Sequence, residues 1–135
     1  MSDSIFTKII NRELPAHFLY EDDDCVVILD KFPTIRGQAV VIPKKEVDYA
    51  FDLDDDIYVH LFTVAKKMAK ALDTAMNAKR TCLVVEGFEI PHVNIKIFPM
   101  LRTDRSLGEY LTGGEEADDE DLAVIATQVQ AALDN

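Results

Sequence analysis

The chain has no tryptophan, only two cysteines and three histidines, and fewer cationic than anionic residues among its 135 positions. Cys25 and Cys82 sit in the apolar contexts Asp24-Cys25-Val26-Val27 and Thr81-Cys82-Leu83-Val84, which excludes a disulfide-dense scaffold and leaves buried free thiols as the expectation. Isolated cysteines and scattered histidines give no zinc-ligand spacing, so neither a protein-held metal nor another cofactor is expected. No apolar run approaches the ~18 residues needed to cross a bilayer. Met1-Ser2-Asp3-Ser4 lacks the basic and apolar regions of a signal peptide. The expectation is a cytoplasmic protein without a membrane partner. Lysine and arginine total 14 against 25 aspartates and glutamates, a formal charge of −11. That field repels polyanions and argues against a nucleic acid polymer as partner. It is compatible with a small nucleotide in a locally basic site, for which Lys44, Lys45, Lys96 and Arg102 are candidates. Glu115-Glu116 and Asp118-Asp119-Glu120-Asp121 concentrate the acidity and read as a solvated helix start.

What is present points to one folded domain. The chain is 48% apolar and of a length that suits a single core. Ser4 is a plausible N-cap for a short helix ending before Pro15. Strands are expected at Phe18–Tyr20, Cys25–Asp30, Ala39–Ile42, Thr81–Val85 and His92–Pro99, with Glu21–Asp24 as a tight connection. Between the third and fourth, a helix is expected over about Asp55–Asn77, capped by Asp52 or Asp54. Its Ile57, Leu61, Val64, Ala65, Met68, Leu72 and Met76 recur at helical spacing, while Lys66, Lys67 and Lys70 fall off the stripe. His60 lies beside that stripe as a surface or boundary residue, and His17 is assigned no chemistry. After Gly113-Gly114, Leu122, Ile125, Val129 and Leu133 mark a last helix, which could pack on its own subunit or on a partner. The fold class is α+β: about five antiparallel strands packed with one long helix, plus short N-terminal and C-terminal helices. Residues 1–112 form the main unit, and the acidic linker with its amphipathic helix over 113–135 belongs to the same single domain.

Pro91-His92-Val93-Asn94-Ile95-Lys96-Ile97-Phe98-Pro99 carries the chemistry. Its period of two sends Val93, Ile95 and Ile97 toward a core and His92, Asn94 and Lys96 to the other face of a strand. Alternate side chains on that face stand roughly 6–7 Å apart. Imidazole, amide and ammonium groups in a row can contact several oxygens of one phosphate-bearing ligand, although an exposed sheet face would carry the same residue types.

The row resembles the signature of the histidine triad family, His-φ-His-φ-His-φ-φ with φ apolar. The resemblance runs from about Ile5 to Leu101. It takes in Ile5-Phe6-Thr7-Lys8-Ile9-Ile10 with Glu13-Leu14-Pro15, then Tyr20-Glu21-Asp22-Asp23, Leu29-Asp30-Lys31-Phe32-Pro33, and Arg36-Gly37-Gln38-Ala39-Val40-Val41-Ile42-Pro43-Lys44-Lys45. It implies a compact protomer that dimerises by joining two sheets, and a purine nucleotide held in an apolar cleft. In hydrolysing members the middle histidine attacks phosphorus, forming a nucleotidyl-histidine that water cleaves. Flanking histidines and a fourth from a Gly-His pair support it.

Mapped onto this chain, the degenerate catalytic positions are His92, Asn94 and Lys96, with Gln38 replacing the histidine of the Gly-His pair. An amide nitrogen has its lone pair delocalised into the carbonyl, so Asn94 cannot form the covalent intermediate that imidazole forms. For the ligand, the resemblance implies Phe6 and Ile9 on one wall of the base pocket, Ile28 and Leu29 near the other, and Asp30 accepting from the ribose hydroxyls. Core packing for the four apolar residues, and capping of the next turn for Asp30, would use the same residue types. The phosphate loop before the triad is here the short Val85-Glu86-Gly87-Phe88-Glu89-Ile90-Pro91. Three readings stay open: a purine-nucleotide-binding protein with impaired nucleotidyl hydrolase or transferase activity; an active nucleotide phosphoramidate or dinucleoside polyphosphate hydrolase, with a displaced nucleophile or with histidine as the native residue at 94; and a non-enzymatic dimeric interaction scaffold.

Overall fold

Ser4 starts the first element as expected: its hydroxyl accepts the Thr7 N–H at 3.0 Å and caps the short helix α1, Ile5–Ile10. The computed structural model describes residues 3–101 and 106–134. After α1 come strands β1 (Phe18–Glu21), β2 (Cys25–Leu29) and β3 (Ala39–Pro43), the long helix α2 (Asp55–Met76), strands β4 (Arg80–Val84) and β5 (Ile95–Met100), and helix α3 (Asp119–Leu133). Two single 3-10 turns, Ala50–Asp52 and Leu107–Tyr110, were not expected from the sequence. The five strands form one antiparallel sheet in the order β1-β2-β3-β5-β4.

The continuous apolar runs of β2 and β3 are explained by their central place, since both of their faces are buried. Cys25, Val27, Leu29, Ala39 and Val41 face α2 and α3 and join Ile95 and Ile97 in the main core. Val26, Ile28, Val40 and Ile42 face the other way, against Phe6 and Ile9 of α1. The α2 stripe packs as its spacing predicts, with Leu61, Val64, Ala65, Met68 and Leu72 buried and Ile57 and Met76 at its margins. The helix ends where Asn77 takes a left-handed conformation, φ 53°. The last helix packs on its own subunit: Leu122, Ile125 and Val129 enter the same core as α2, and the Gln130 side chain donates to the Leu19 carbonyl at 2.6 Å.

Two expectations need correction. Cys82 is only half-buried, because β4 is an edge strand and its Arg80 and Leu83 are exposed. The final strand begins at Ile95 rather than His92. The His92 N–H turns back to the Ile90 carbonyl at 2.8 Å, and the Val93 N–H reaches Val47 O at 2.7 Å, so neither joins the ladder. Among the described residues, no helix is long and apolar enough to cross a membrane.

Candidate functional site

A cleft of about 1030 Å³ lies between α1, the β2–β3 end of the sheet, the 86–90 loop and the 111–117 segment. Phe6 and Ile9 reach it from α1, Ile28, Leu29 and Asp30 from the end of β2, Gln38 and Val40 from the start of β3, and Asn94 and Lys96 from the start of β5. The topology makes this convergence possible, since β3 pairs with both β2 and β5 and sets Val40 opposite Ile28 on one side and Lys96 on the other.

Asp30 holds the centre of the polar group. Its Oδ1 accepts the Phe32 N–H at 2.8 Å, closing the turn after β2, and its Oδ2 accepts from Gln38 Nε2 at 2.9 Å. Gln38 is buried and orients that contact by accepting the Thr34 N–H at 2.7 Å on Oε1. Burial pushes the Asp30 carboxyl above its ordinary value. The Phe32 N–H, the Lys96 charge and the Gln38 amide oppose that shift, and Glu89 adds to it. A carboxylate oxygen has two lone-pair directions, so both Asp30 oxygens retain capacity for further donors.

Asn94 is buried with its Nδ2 donating to the His92 carbonyl at 3.0 Å. Lys96 is half-buried, its Nζ standing 3.7 Å from Glu86 Oε1. The row therefore keeps its last two members in the cleft. His92 does not join them. It is fully buried behind the α1 wall, edge-on to the Phe6 ring at 5.8 Å between centroids. Its Nε2 lies 2.8 Å from the Pro43 carbonyl, which can only accept, so the proton belongs on Nε2. Nδ1 is then an acceptor for the Ser4 hydroxyl at 2.7 Å. Glu46 completes this cluster by accepting the Ser4 N–H at 2.8 Å and the Thr7 hydroxyl at 2.7 Å. Burial lowers the affinity of His92 for a proton, with the Pro43 contact and the Glu46 charge opposing.

Lys44 and Lys45, candidates for a locally basic site, do not line the cleft; Lys44 instead pairs with Glu21 at 3.0 Å. Arg102 lies outside the described residues. Sequence reasoning missed the second role of Ser4, which read only as a helix cap, and the partners Thr7, Thr34 and Glu46. It also missed the pinning of the β1–β2 hairpin to α2, where Asp22 Oδ2 meets His60 Nε2 at 2.6 Å and accepts the Tyr20 hydroxyl at 2.8 Å. Asp22, Cys25 and His60 bring three potential metal-ligand atoms within 4.8 Å of one another. Asp22 is also committed to the backbone N–H groups of Asp24 and Cys25, and burial with the Asp22 charge pushes the Cys25 thiol up to about 12. The cluster is a hydrogen-bonded brace as it stands. Gly114 explains the Gly-Gly pair in physical terms: a Cβ there would meet Phe32 O at 2.1 Å, so only glycine lets the C-terminal linker pass the β2–β3 loop.

Comparison with known proteins agrees with this architecture. The family model described as the HIT domain matches residues 11–100. A HIT-like protein of uncharacterised function from Borreliella burgdorferi is 32% identical over 111 residues, covering 77% of this chain and 80% of the relative. The crystal structure of a hypothetical histidine triad nucleotide-binding protein from Sulfolobus tokodaii superposes with a TM-score of 0.86 at 29% identity, covering 96% of this chain and 91% of the other. A HIT-like protein from Bartonella henselae, described as involved in cell-cycle regulation and solved with an unknown ligand, gives 0.85 at 26% identity and covers 96% of each chain. With its five-stranded antiparallel sheet, its cleft and a matched segment that runs through most of its length, the chain belongs to the histidine triad family.

Proposed function

We propose that this chain binds purine nucleosides and their phosphates in the cleft, with the nucleotidyl hydrolase or transferase step impaired. The observation that carries the reading is the amide of Asn94 in the cleft, at the position where the resemblance places the nucleophile. The apolar side chains Phe6, Ile9 and Ile28 offer a base-sized surface, and Asp30 at its edge offers a carboxylate to the ribose. Leu29, grouped with them by the resemblance, turns its side chain into the core with α2 and α3. Apolar walls accept either purine, so the proposal does not choose a base.

A displaced nucleophile is disfavoured on both sides of Asn94. His92 has both ring nitrogens engaged inside the protein, and Lys96 presents an ammonium, which has no lone pair to attack with, 3.7 Å from Glu86 Oε1. We also infer that the protein acts as a cytoplasmic homodimer. The exposed edge strand β4, with the Tyr49, Phe51 and Val59 side chains exposed near the start of α2, is the kind of surface two copies would cover.

Calorimetry with nucleoside monophosphates tests the binding. Ribonucleotides should bind more tightly than their 2′,3′-dideoxy counterparts, and Asp30→Ala should remove the difference at a cost of about 1–3 kcal/mol. Affinity should also fall with pH as the Asp30 carboxylate protonates, beginning above the usual aspartate range because burial raises its proton affinity. Equal affinity for ribose and dideoxyribose ligands in the parent protein would rule out the role given to Asp30.

A further inference from the structure

We propose that Glu86 is a built-in competitor for phosphate at Lys96, so that this cleft admits a nucleoside without favouring the phosphate attached to it. The inference rests on the nucleoside-binding reading above and concerns which ligand charge that site selects.

Five carboxylates line the cleft against two lysines among the described residues. Each of the two lysines already has an anionic neighbour. Lys31 Nζ lies 3.3 Å from Glu116 Oε1, and Lys96 Nζ lies 3.7 Å from Glu86 Oε1. Asp30, Glu89 and Asp119 then remain without a lysine partner, Asp119 Oδ1 lying 2.7 Å from His17 Nε2. Lys96 is the lysine beside Asn94, on the strand where the resemblance places the phosphate, and a carboxylate stands against it.

The loop carrying Glu86 brings a second acid to the same side of the cleft. It continues through Gly87, held at φ +74°, to Phe88, which is 91% exposed at the cleft, and Glu89. A left-handed residue next to Glu86 fixes the direction in which the loop leaves β4. A phosphate reaching Lys96 must share the ammonium with the Glu86 carboxylate 3.7 Å away and sit within the field of Glu89 and Asp30. A neutral ribose 5′-hydroxyl meets no such opposition. The Coulomb term between phosphate and these acids is weakened by solvent at the mouth, so the effect is one of moderate discrimination rather than exclusion.

Calorimetry of adenosine and AMP against the full chain and the double variant Glu86→Gln/Glu89→Gln tests this. Both substitutions keep side-chain size on an exposed loop. The parent should bind adenosine and AMP within about threefold of each other, and the variant should bind AMP roughly three- to tenfold more tightly with adenosine unchanged. Raising salt should narrow the difference between parent and variant. AMP binding more than about tenfold tighter than adenosine in the parent, or an unchanged AMP affinity in the variant, overturns the role of Glu86. A parent and variant that both bind neither compound would overturn the nucleoside-binding reading itself and this inference with it.

Discussion

His92 and Asn94 are two residues apart and serve different neighbours. The imidazole ties the N-terminus of α1 to the end of β3 through Ser4 and Pro43, while the amide faces the cleft. Removing the ring takes the side-chain donor from the buried Pro43 carbonyl and leaves the Ser4 hydroxyl only the longer contact to Thr7 Oγ1 at 3.2 Å. His92→Ala should therefore destabilise the fold by about 1–3 kcal/mol for each group left unsatisfied, read as a lower midpoint in urea. The sign of the pH dependence follows from burial. Its folded proton affinity is lowered, so the unfolded chain takes up the proton first and stability falls as pH drops below the ordinary histidine value of about 6.5. Comparing urea midpoints of the parent and His92→Ala at pH 8 and pH 5.5 isolates the contribution: the gap between them should shrink at the lower pH. None of this was legible in the sequence. Period two placed His92 on the polar face with Asn94 and Lys96, but the backbone leaves the ladder at Val93 to bond Val47, a contact remote in sequence.

At the scale of elements, much more could be read in advance. The stripe on α2, the cap at Ser4 and the paired apolar strands β2 and β3 are local patterns, and local patterns survive into the fold because each buries one face in a shared core. The strand boundaries at Ile95 and the half-exposure of Cys82 depended on neighbours and edges that no local window contains. The β2–β3 connection shows how one residue governs the site. Gly37 has φ +92°, and a Cβ there would stand 2.7 Å from Met76 Sδ and 3.1 Å from Pro99 Cγ. Gly37→Ala should cost about 1–2 kcal/mol from the backbone conformation alone. The strain falls on the residue next to Gln38, so the Gln38–Asp30 contact should loosen as well. The variant should show both a lower urea midpoint and a reduced preference for ribose over dideoxyribose ligands; unchanged values of both would show that the turn is not a constraint on the site.

For the whole molecule, net charge and oligomeric state act together. Each copy carries −11, so pairing two copies opposes a like-charge repulsion that salt screens. Sedimentation should find a dimer at tens of micromolar protein that tightens as salt is raised; a monomer throughout that range would contradict the pairing. In the proposed reading the chemistry also belongs to the assembled cleft, since Gln38 at the entry to β3, and Asn94 and Lys96 at the start of β5, stand at three positions where the resemblance expects histidine. Losing a nucleophile removes several kcal/mol of transition-state stabilisation, and positioning alone restores only part of it. Asn94→His should accordingly recover turnover in part, because Gln38 and Lys96 still differ from the triad set. The most direct measurement pairs steady-state turnover of an adenosine phosphoramidate with mass spectrometry of the quenched protein under conditions that preserve phosphoramidate adducts. The parent chain should show little or no turnover and no nucleotidyl adduct, and Asn94→His should gain measurable turnover with the adduct on the new histidine. Robust turnover by the parent chain with an adduct on His92 or Lys96 would contradict the reading, since it would mean that the nucleophile has moved along the strand rather than been lost.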